Sequence, residues 1–353
     1  MSRILLVSPA FHGYWRAIAA ALEARGHEVE TLRYDAFDSP AAKLVNKLRY
    51  ELPDRLGMGA GTGIVQAGLG VPALRAALTA RAVQAVRDGS PEVVVVVKGD
   101  LLGPEFWGML ADRRLPRVLW LYDELRRTAF GSPDEVVAAL AGGPVASYSP
   151  ADTAALRAAG IEAHWLPLAY DHRNDPPPGP ARVAEIVFVG ARYAGREQVL
   201  AELVQAGLPV RAFGRQWSAH PWDRARTWRI DAPAVPAGRD VDRPAAYRTM
   251  QRAAATLNLH GDQDGLTMRT FEACGVGAVQ LVDRPTDGLF DEGVELARFD
   301  SPAELVELCR RALREPAWAD RLRAAGRARA LAEHTFDHRV AVLERLWRRS
   351  TDW

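Results

Sequence analysis

The residues best suited to chemistry stand in one run, LNLHGDQDGLTMRTFEACGVGAVQLVD, residues 257–283. An apolar strand ends at His260, and a polar loop with Gly261, Asp262, Asp264 and Gly265 follows. A helix then starts near Thr267, carrying Met268, Arg269, Thr270 and Glu272 in its first turns. At the carboxyl edge of a parallel sheet, a helix N-terminus attracts anions because free backbone N–H groups and the positive end of the helix dipole point outward. Arg269 adds a forked donor suited to phosphate. Glu272, one turn further on, is placed to accept hydrogen bonds from ribose or hexose hydroxyls. The set suits a diphosphate flanked by polyols. Without a ligand, the same residues read as an i,i+3 ion pair of Arg269 with Glu272 and a locally satisfied strand-end His260. Asp262-Gln263-Asp264 reads as sugar-hydroxyl or loop-capping chemistry, with no metal site expected.

These residues need a sheet to hold them, and the apolar periodicity supplies one twice. Ile4 to Ser8 reads as a strand, Tyr14 to Leu22 as a helix ending at Gly26, and HEVETL as a second strand, which together make a βαβ unit. Glu92 to Val97 is a β-branched run of the kind buried on both faces of a parallel sheet, and Arg117 to Tyr122 and Pro144 to Tyr148 repeat it. Between them, Leu44, Leu48 and Leu52 suggest a helix and GMGAGTG a loop, with no strand assigned. Three prolines, Pro176 to Pro178, then form a stiff, extended connection. Beyond it the pattern restarts: EIVFVG, PVRAFG, ATLNLH and AVQLVD as strands, helices over Glu197 to Ala206, Ala245 to Ala255 and from Thr267, and two C-terminal helices. A closing helix around His338 to Trp347 sets Val340, Leu343, Leu346 and Trp347 on one stripe. The expected fold is α/β, with two Rossmann-like doubly wound domains facing a cleft. The expected divisions are 1–170, a Pro-rich linker 171–182, a second domain 183–336, and a helix 337–353 packing back toward the first domain. Neither half carries G-x-G-x-x-G behind its first strand, the strongest marker of a dinucleotide site.

Composition narrows the function classes. The 353 residues carry 45 basic and 44 acidic side chains, a formal net charge of +1, which argues against a nucleic-acid protein held by a dominant basic surface. Cys274 and Cys309 are the only cysteines, too few for a disulfide framework and without zinc spacing, so a reducing cytoplasm is expected. The opening MSRILLVSPAFHG reads as a strand and not as a signal peptide, and no run approaches about 18 apolar residues, so no membrane insertion is expected.

Asn258, His260, the run Met268, Arg269, Thr270, Phe271, Glu272, Ala273, and then Gly275 and Gly277 resemble the nucleotide-sugar motif of the GT-B-fold, group 1 type glycosyltransferases. The likeness is closest to the branch named after the spore maturation protein CgeB, with Asn-x-His at a strand end followed by M-R-T-F-E-A. EIVFVGARYAGRE and EHTFDHRV extend the likeness over the second half, while the first half matches in layout alone. In one respect the chain departs: retaining members often carry two glutamates separated by seven residues, and counted onward from Glu272 the second position is Gln280. The resemblance implies transfer of a sugar from a nucleotide-diphosphate sugar to an acceptor hydroxyl. The donor would sit on the second domain and the acceptor on the first, with helix ends and basic side chains in place of an essential metal and no cofactor beyond the sugar nucleotide.

The remaining candidates fall at other strand ends. Gly190 permits close backbone approach, and Arg192 or Arg196 would reach a pyrophosphate; a plain turn with solvated arginines is the alternative. Arg215 and Gln216, next to Trp217, suit a base, unless Trp217 is core. On the first domain His12 and Gly13 open the first helix, where an imidazole near pKa 6.5 suits a general base toward an acceptor hydroxyl, with Asp100 and Asp123 as the other candidate bases. Helix capping or solvation is the alternative for His12. Lys98, Tyr122 and Glu124 join Gly13 as acceptor-binding candidates. Expected partners are a nucleotide sugar and a small-molecule or glycan acceptor. A nucleotide-sugar epimerase or hydrolase and a non-catalytic sugar-nucleotide-binding protein are the rival readings.

Overall fold

The computed structural model describes residues 1–36, 72–130, 133–177, 181–227 and 231–349. The expected helix near Leu44 to Leu52 and the GMGAGTG loop lie outside the described residues. The chain divides into two compact units, Met1–Pro167 with Asp337–Trp353, and Leu168–Phe336.

The first unit is built on a six-stranded parallel sheet of β1 (Arg3–Ser8), β2 (Glu28–Arg33), β3 (Val93–Val97), β4 (Arg117–Leu121), β5 (Val145–Ser147) and β6 (Ala163–Trp165), in the order β2-β1-β3-β4-β5-β6. The five valines of β3 are all buried, which fits a strand covered on both faces, whereas β2 alternates polar and apolar because it lies at the sheet edge. Helix α1 (Tyr14–Glu23) buries Tyr14, Ala17, Ile18, Ala21 and Leu22 on one stripe. Helices α2 (Pro72–Gly89), α3 (Pro104–Asp112), α4 (Pro133–Leu140) and α5 (Pro150–Ala158) make the other crossovers. The chain turns back once: β2 lies on one side of β1, and β3 on the other.

The second unit repeats the plan with five parallel strands, β7 (Ile186–Val189), β8 (Val210–Phe213), β9 (Ala255–Asn258), β10 (Gln280–Val282) and β11 (Ala297–Arg298), ordered β11-β10-β9-β7-β8. Its helices are α6 (Ala194–Gln205), α7 (Pro221–Thr227), α8 (Arg243–Arg252), α9 (Met268–Gly275), α10 (Pro302–Arg314) and α11 (Pro316–Glu333). Here the reversal falls between β7 and β9, which pair directly, with Ile186 opposite Ala255.

Asp171, Tyr170 and Asp175, in or beside the expected Pro-rich linker, are fastened within the second unit. Asp171 is buried and meets Arg243 of α8 at 2.7 Å, while the Tyr170 hydroxyl donates to Asp175 at 2.6 Å and Asp175 pairs with Arg327 of α11. Proline content marked a stiff segment, but the acidic residues before it are bound by arginines that lie far away in sequence. The closing helix α12 (Phe336–Arg349) is third in the C-terminal run after α10 and α11. Its Glu344 meets Arg25 Nε at 2.5 Å and His27 Nε2 at 3.3 Å, and Arg339 donates to the Pro167 carbonyl at 2.6 Å.

Candidate functional site

In doubly wound sheets, ligands bind outside the carboxyl ends of the strands where the strand order reverses. In the second unit that point has the loop after β7 and the first turn of α6, Gly190 to Arg196, on one side and the loop after β9, with His260 to Thr267, on the other. Arg196 ties the two loops, donating from Nε to the Leu259 carbonyl at 2.7 Å and from Nη2 to Gln263 Oε1 at 3.3 Å.

Helix α9 starts at this edge. Thr267 is its N-cap residue but makes no side-chain capping bond; its hydroxyl instead meets the Asn258 amide, with Nδ2 to Oγ1 at 2.8 Å. The same amide nitrogen donates to Thr270 Oγ1 at 2.6 Å and stands 3.2 Å from His260 Nε2. His260 is buried, and its Nδ1 lies 2.5 Å from Asp283 Oδ1 while its backbone N–H donates to Asp283 Oδ2 at 2.8 Å. Burial pushes the His260 ring below its ordinary pKa, against the opposing pull of Asp283. Burial alone would raise the Asp283 carboxyl, but hydrogen bonds from the ring and from the backbone of His260 and Gly261 hold it below the usual range. Both directions describe a neutral imidazole beside an ionised carboxylate, and because that carboxylate can only accept, its 2.5 Å contact assigns the ring proton to Nδ1.

Arg269 emerges from the first turn of α9 with its side chain 23% exposed, and its Nη1 meets Glu272 Oε2 at 2.5 Å. Glu272 is wholly buried and accepts a hydrogen bond from the Tyr247 hydroxyl at 3.2 Å. The ion pair allowed for in the sequence therefore forms, with Glu272 beneath the surface and its carboxylate shared between Arg269 and Tyr247. Thr270 is likewise buried, whereas Thr267 and Met268 stay partly exposed at the helix start. Gln280 opens β10 and is fully buried.

Several candidates are held by neighbouring groups in this arrangement. The Arg192 guanidinium is buried and held by Glu197 at 2.7 and 2.8 Å and by Asp231 at 2.8 Å, which consumes its forked donors. Gln216 accepts the Arg192 backbone N–H at 3.1 Å, and Arg215 pairs with Asp240 at the surface. Trp217 is core, and donates from its indole to the Gly190 carbonyl at 2.9 Å. The close approach here is made at Gly214, φ +142°, where a Cβ would stand 2.5 Å from that same carbonyl oxygen. Sequence reasoning missed Asp283 and Arg284, which follow β10. Arg284 donates to the Gly265 carbonyl at 3.0 Å and adds positive charge beside His260. The strand end of AVQLVD was the signal for both.

In the first unit the reversal lies between β1 and β3. His12 (φ +44°) and Gly13 (φ +73°) form the left-handed turn that starts α1, with His12 exposed. Lys98, at φ +62°, follows β3 and meets Asp123 at 2.5 Å. Burial acts to lower the Lys98 ammonium, but Asp100, Asp123 and Asp35 together raise it, so it stays charged. Ser8, Pro9, Tyr14, Lys98 and Tyr122 face one small hollow. Asp123 remains partly exposed; Asp100 is buried and accepts the Ala129 N–H at 2.9 Å, so it holds a loop in place. Glu124 is also buried, bound to Arg126 and 3.4 Å from the Tyr148 hydroxyl. Asp35, missed from sequence, accepts the Ala10 N–H at 2.6 Å and anchors the turn that carries His12. Among the described residues no cluster of His, Cys, Asp and Glu is arranged to hold a metal ion, and no helix is long and apolar enough to cross a membrane.

Comparison with known proteins agrees with this fold. Anabaena Alr3699/HepE, solved in complex with UDP-glucose, superposes with a TM-score of 0.60 at 12% identity over 100% of both chains. AviGT4, a glycosyltransferase involved in avilamycin A biosynthesis, gives 0.58 at 14% identity over 99% of this chain and 98% of its own. The fold is that of the GT-B glycosyltransferases. A glycosyltransferase from Rickettsia africae shares the GT-B likeness at 0.61 and 11% identity, over 98% of each chain. Residues 196–345 match the family described as glycosyl transferase-like, a span that starts at Arg196 and contains α9, His260 and Asp283. No curated protein matches the chain in sequence.

Proposed function

We propose that this protein is a glycosyltransferase that moves a sugar from a nucleotide-diphosphate sugar to an acceptor hydroxyl. The carrying observation is the start of α9, a helix N-terminus without a side-chain cap at the strand-order reversal, flanked by Arg269, Arg196 and Arg284 and lying inside the glycosyl transferase-like span. Such an end binds a diphosphate and meets the charge that grows on it as the glycosidic bond breaks. The complexes of Anabaena Alr3699/HepE with UDP-glucose and with UDP and glucose support the donor class. The reading assigns the donor to the second unit and the acceptor to the first, near Gly13, Lys98 and Tyr122, and places the protein in the cytoplasm within the CgeB-like branch. His12 takes the acceptor proton as the oxygen attacks the anomeric carbon, and Asp123 is the alternative base. Helix end and guanidinium groups stand in for a metal in this scheme.

A thermal-shift screen against nucleoside diphosphates and their sugars tests the donor reading, since a ligand of the native state raises the melting temperature by mass action. A stabilising sugar nucleotide that is turned over in the presence of acceptors is the expected result. Stabilisation by none of them would overturn the reading.

A further inference from the structure

Asp283, His260, Asn258 and Thr267 are joined across three elements: the end of β10, the end of β9 and the N-cap of α9. A threonine at an N-cap ordinarily turns its hydroxyl onto its own helix, satisfying a first-turn N–H. Thr267 does not, because its hydroxyl is engaged by the Asn258 amide. That amide in turn lies 3.2 Å from His260 Nε2, and the other ring nitrogen lies 2.5 Å from Asp283.

Resting on the donor reading above, we infer that Asp283, His260 and Asn258 are positioning residues, a hydrogen-bonded relay that keeps Thr267 from capping α9 and so reserves that helix end for the donor diphosphate. The direction of the bonds makes the relay sensitive to the charge of the ring. With its proton on Nδ1, the imidazole offers a lone pair at Nε2 to the Asn258 amide, which shares its two N–H bonds among the ring at 3.2 Å, Thr267 Oγ1 at 2.8 Å and Thr270 Oγ1 at 2.6 Å. A second proton at Nε2 sets N–H against N–H and turns the amide away. The charged groups that face the ring are Asp283 from β10, Arg284 beside it and Arg196 from α6. The two arginines oppose protonation, and Asp283 favours it.

The test is the affinity for UDP-glucose, whose diphosphate takes up no proton between pH 4.5 and 8 on ordinary pKa grounds. The unmodified protein should lose about tenfold affinity as pH falls, the scale of one hydrogen bond to a charged group, with a midpoint below about 6.5. In Asp283→Asn the midpoint should move to lower pH, because the group favouring protonation is gone. In His260→Gln the acid limb should vanish, and this variant decides the matter if Asp283→Asn does not fold. Asn258→Ala, which releases Thr267, should raise amide-exchange protection in the first turn of α9 while weakening UDP-glucose. An acid limb that Asp283→Asn leaves unmoved and His260→Gln leaves in place would overturn the relay while the donor reading stands. Failure of the unmodified protein to bind UDP-, ADP-, GDP- or TDP-glucose would overturn both.

Discussion

Arg269→Ala separates the contribution of Arg269 to binding from its contribution to the fold. Its guanidinium lies 2.5 Å from a carboxylate that is wholly buried, yet the arginine itself is 23% exposed. Removing one partner of a fully buried pair costs about 3–5 kcal/mol, and partial exposure of the arginine reduces that to about 2–3 kcal/mol. In a unit of this size each kcal/mol shifts the melting temperature by about 2–4 °C, so the variant should melt about 4–12 °C lower and remain folded at room temperature. A charge-assisted hydrogen bond to the diphosphate contributes about 1.5–3 kcal/mol, which is about 10- to 150-fold in Kd. At a nucleoside diphosphate concentration of about 100 times the original Kd, the unmodified protein gains about 2.7 kcal/mol from ligand, and a variant weakened 10- to 100-fold gains only about 1.4 to 0.4 kcal/mol. Calorimetric titration and a melting series with and without nucleotide measure both quantities. A variant that melts lower yet shows the same ligand-induced shift as the parent would refute a phosphate role for Arg269 and leave it a purely structural partner of Glu272.

Further outcomes follow from the same geometry. His12→Asn, chosen because asparagine tolerates the left-handed backbone, should lower transfer about 10²- to 10⁴-fold with donor affinity unchanged; steady-state kinetics retaining more than about a tenth of the rate would move the base to Asp123. Gly275→Ala would drive a Cβ into the Tyr170 ring, so thermal unfolding should show a loss of about 1–3 kcal/mol, and an unchanged melting temperature would mean that α9 and Tyr170 are less tightly packed than described. Burial alone would raise the Glu344 carboxyl, but Arg25 and Arg348 outweigh it and hold it below its ordinary pKa. A depressed carboxylate stabilises the fold above its unfolded pKa, near about 4.3, and that stabilisation fades as pH falls through the folded value. Glu344→Gln should therefore lower stability at neutral pH and flatten the acid decline, followed by Trp347 fluorescence; a decline as steep as the parent's would assign acid sensitivity elsewhere.

Local pattern determined much of this protein. The valine run of β3, the apolar stripe of α1 and the restart of strand and helix after the prolines are short-range properties, and burial of those faces leaves a doubly wound sheet as the economical arrangement. Because ligands meet such sheets at the carboxyl edge, the loops at His12, Lys98, Gly190 and His260 were legible from the strand ends alone. What lies opposite each side chain was not. Spacing puts Arg269 and Glu272 on one helix face, but whether that face meets solvent or Tyr247 depends on how α8 packs, some twenty residues earlier in the chain. Arg192 reads as a phosphate ligand until Glu197 and Asp231 claim its donors, and Asp171 and Asp175 read as linker until Arg243 and Arg327 bind them. Asp283 gains its meaning only because β10 pairs with β9 and sets its carboxylate beside His260. Periodicity records which residues must leave water; the partner that each buried charge finds is fixed by contacts between distant segments, and these form only when the sheet is assembled.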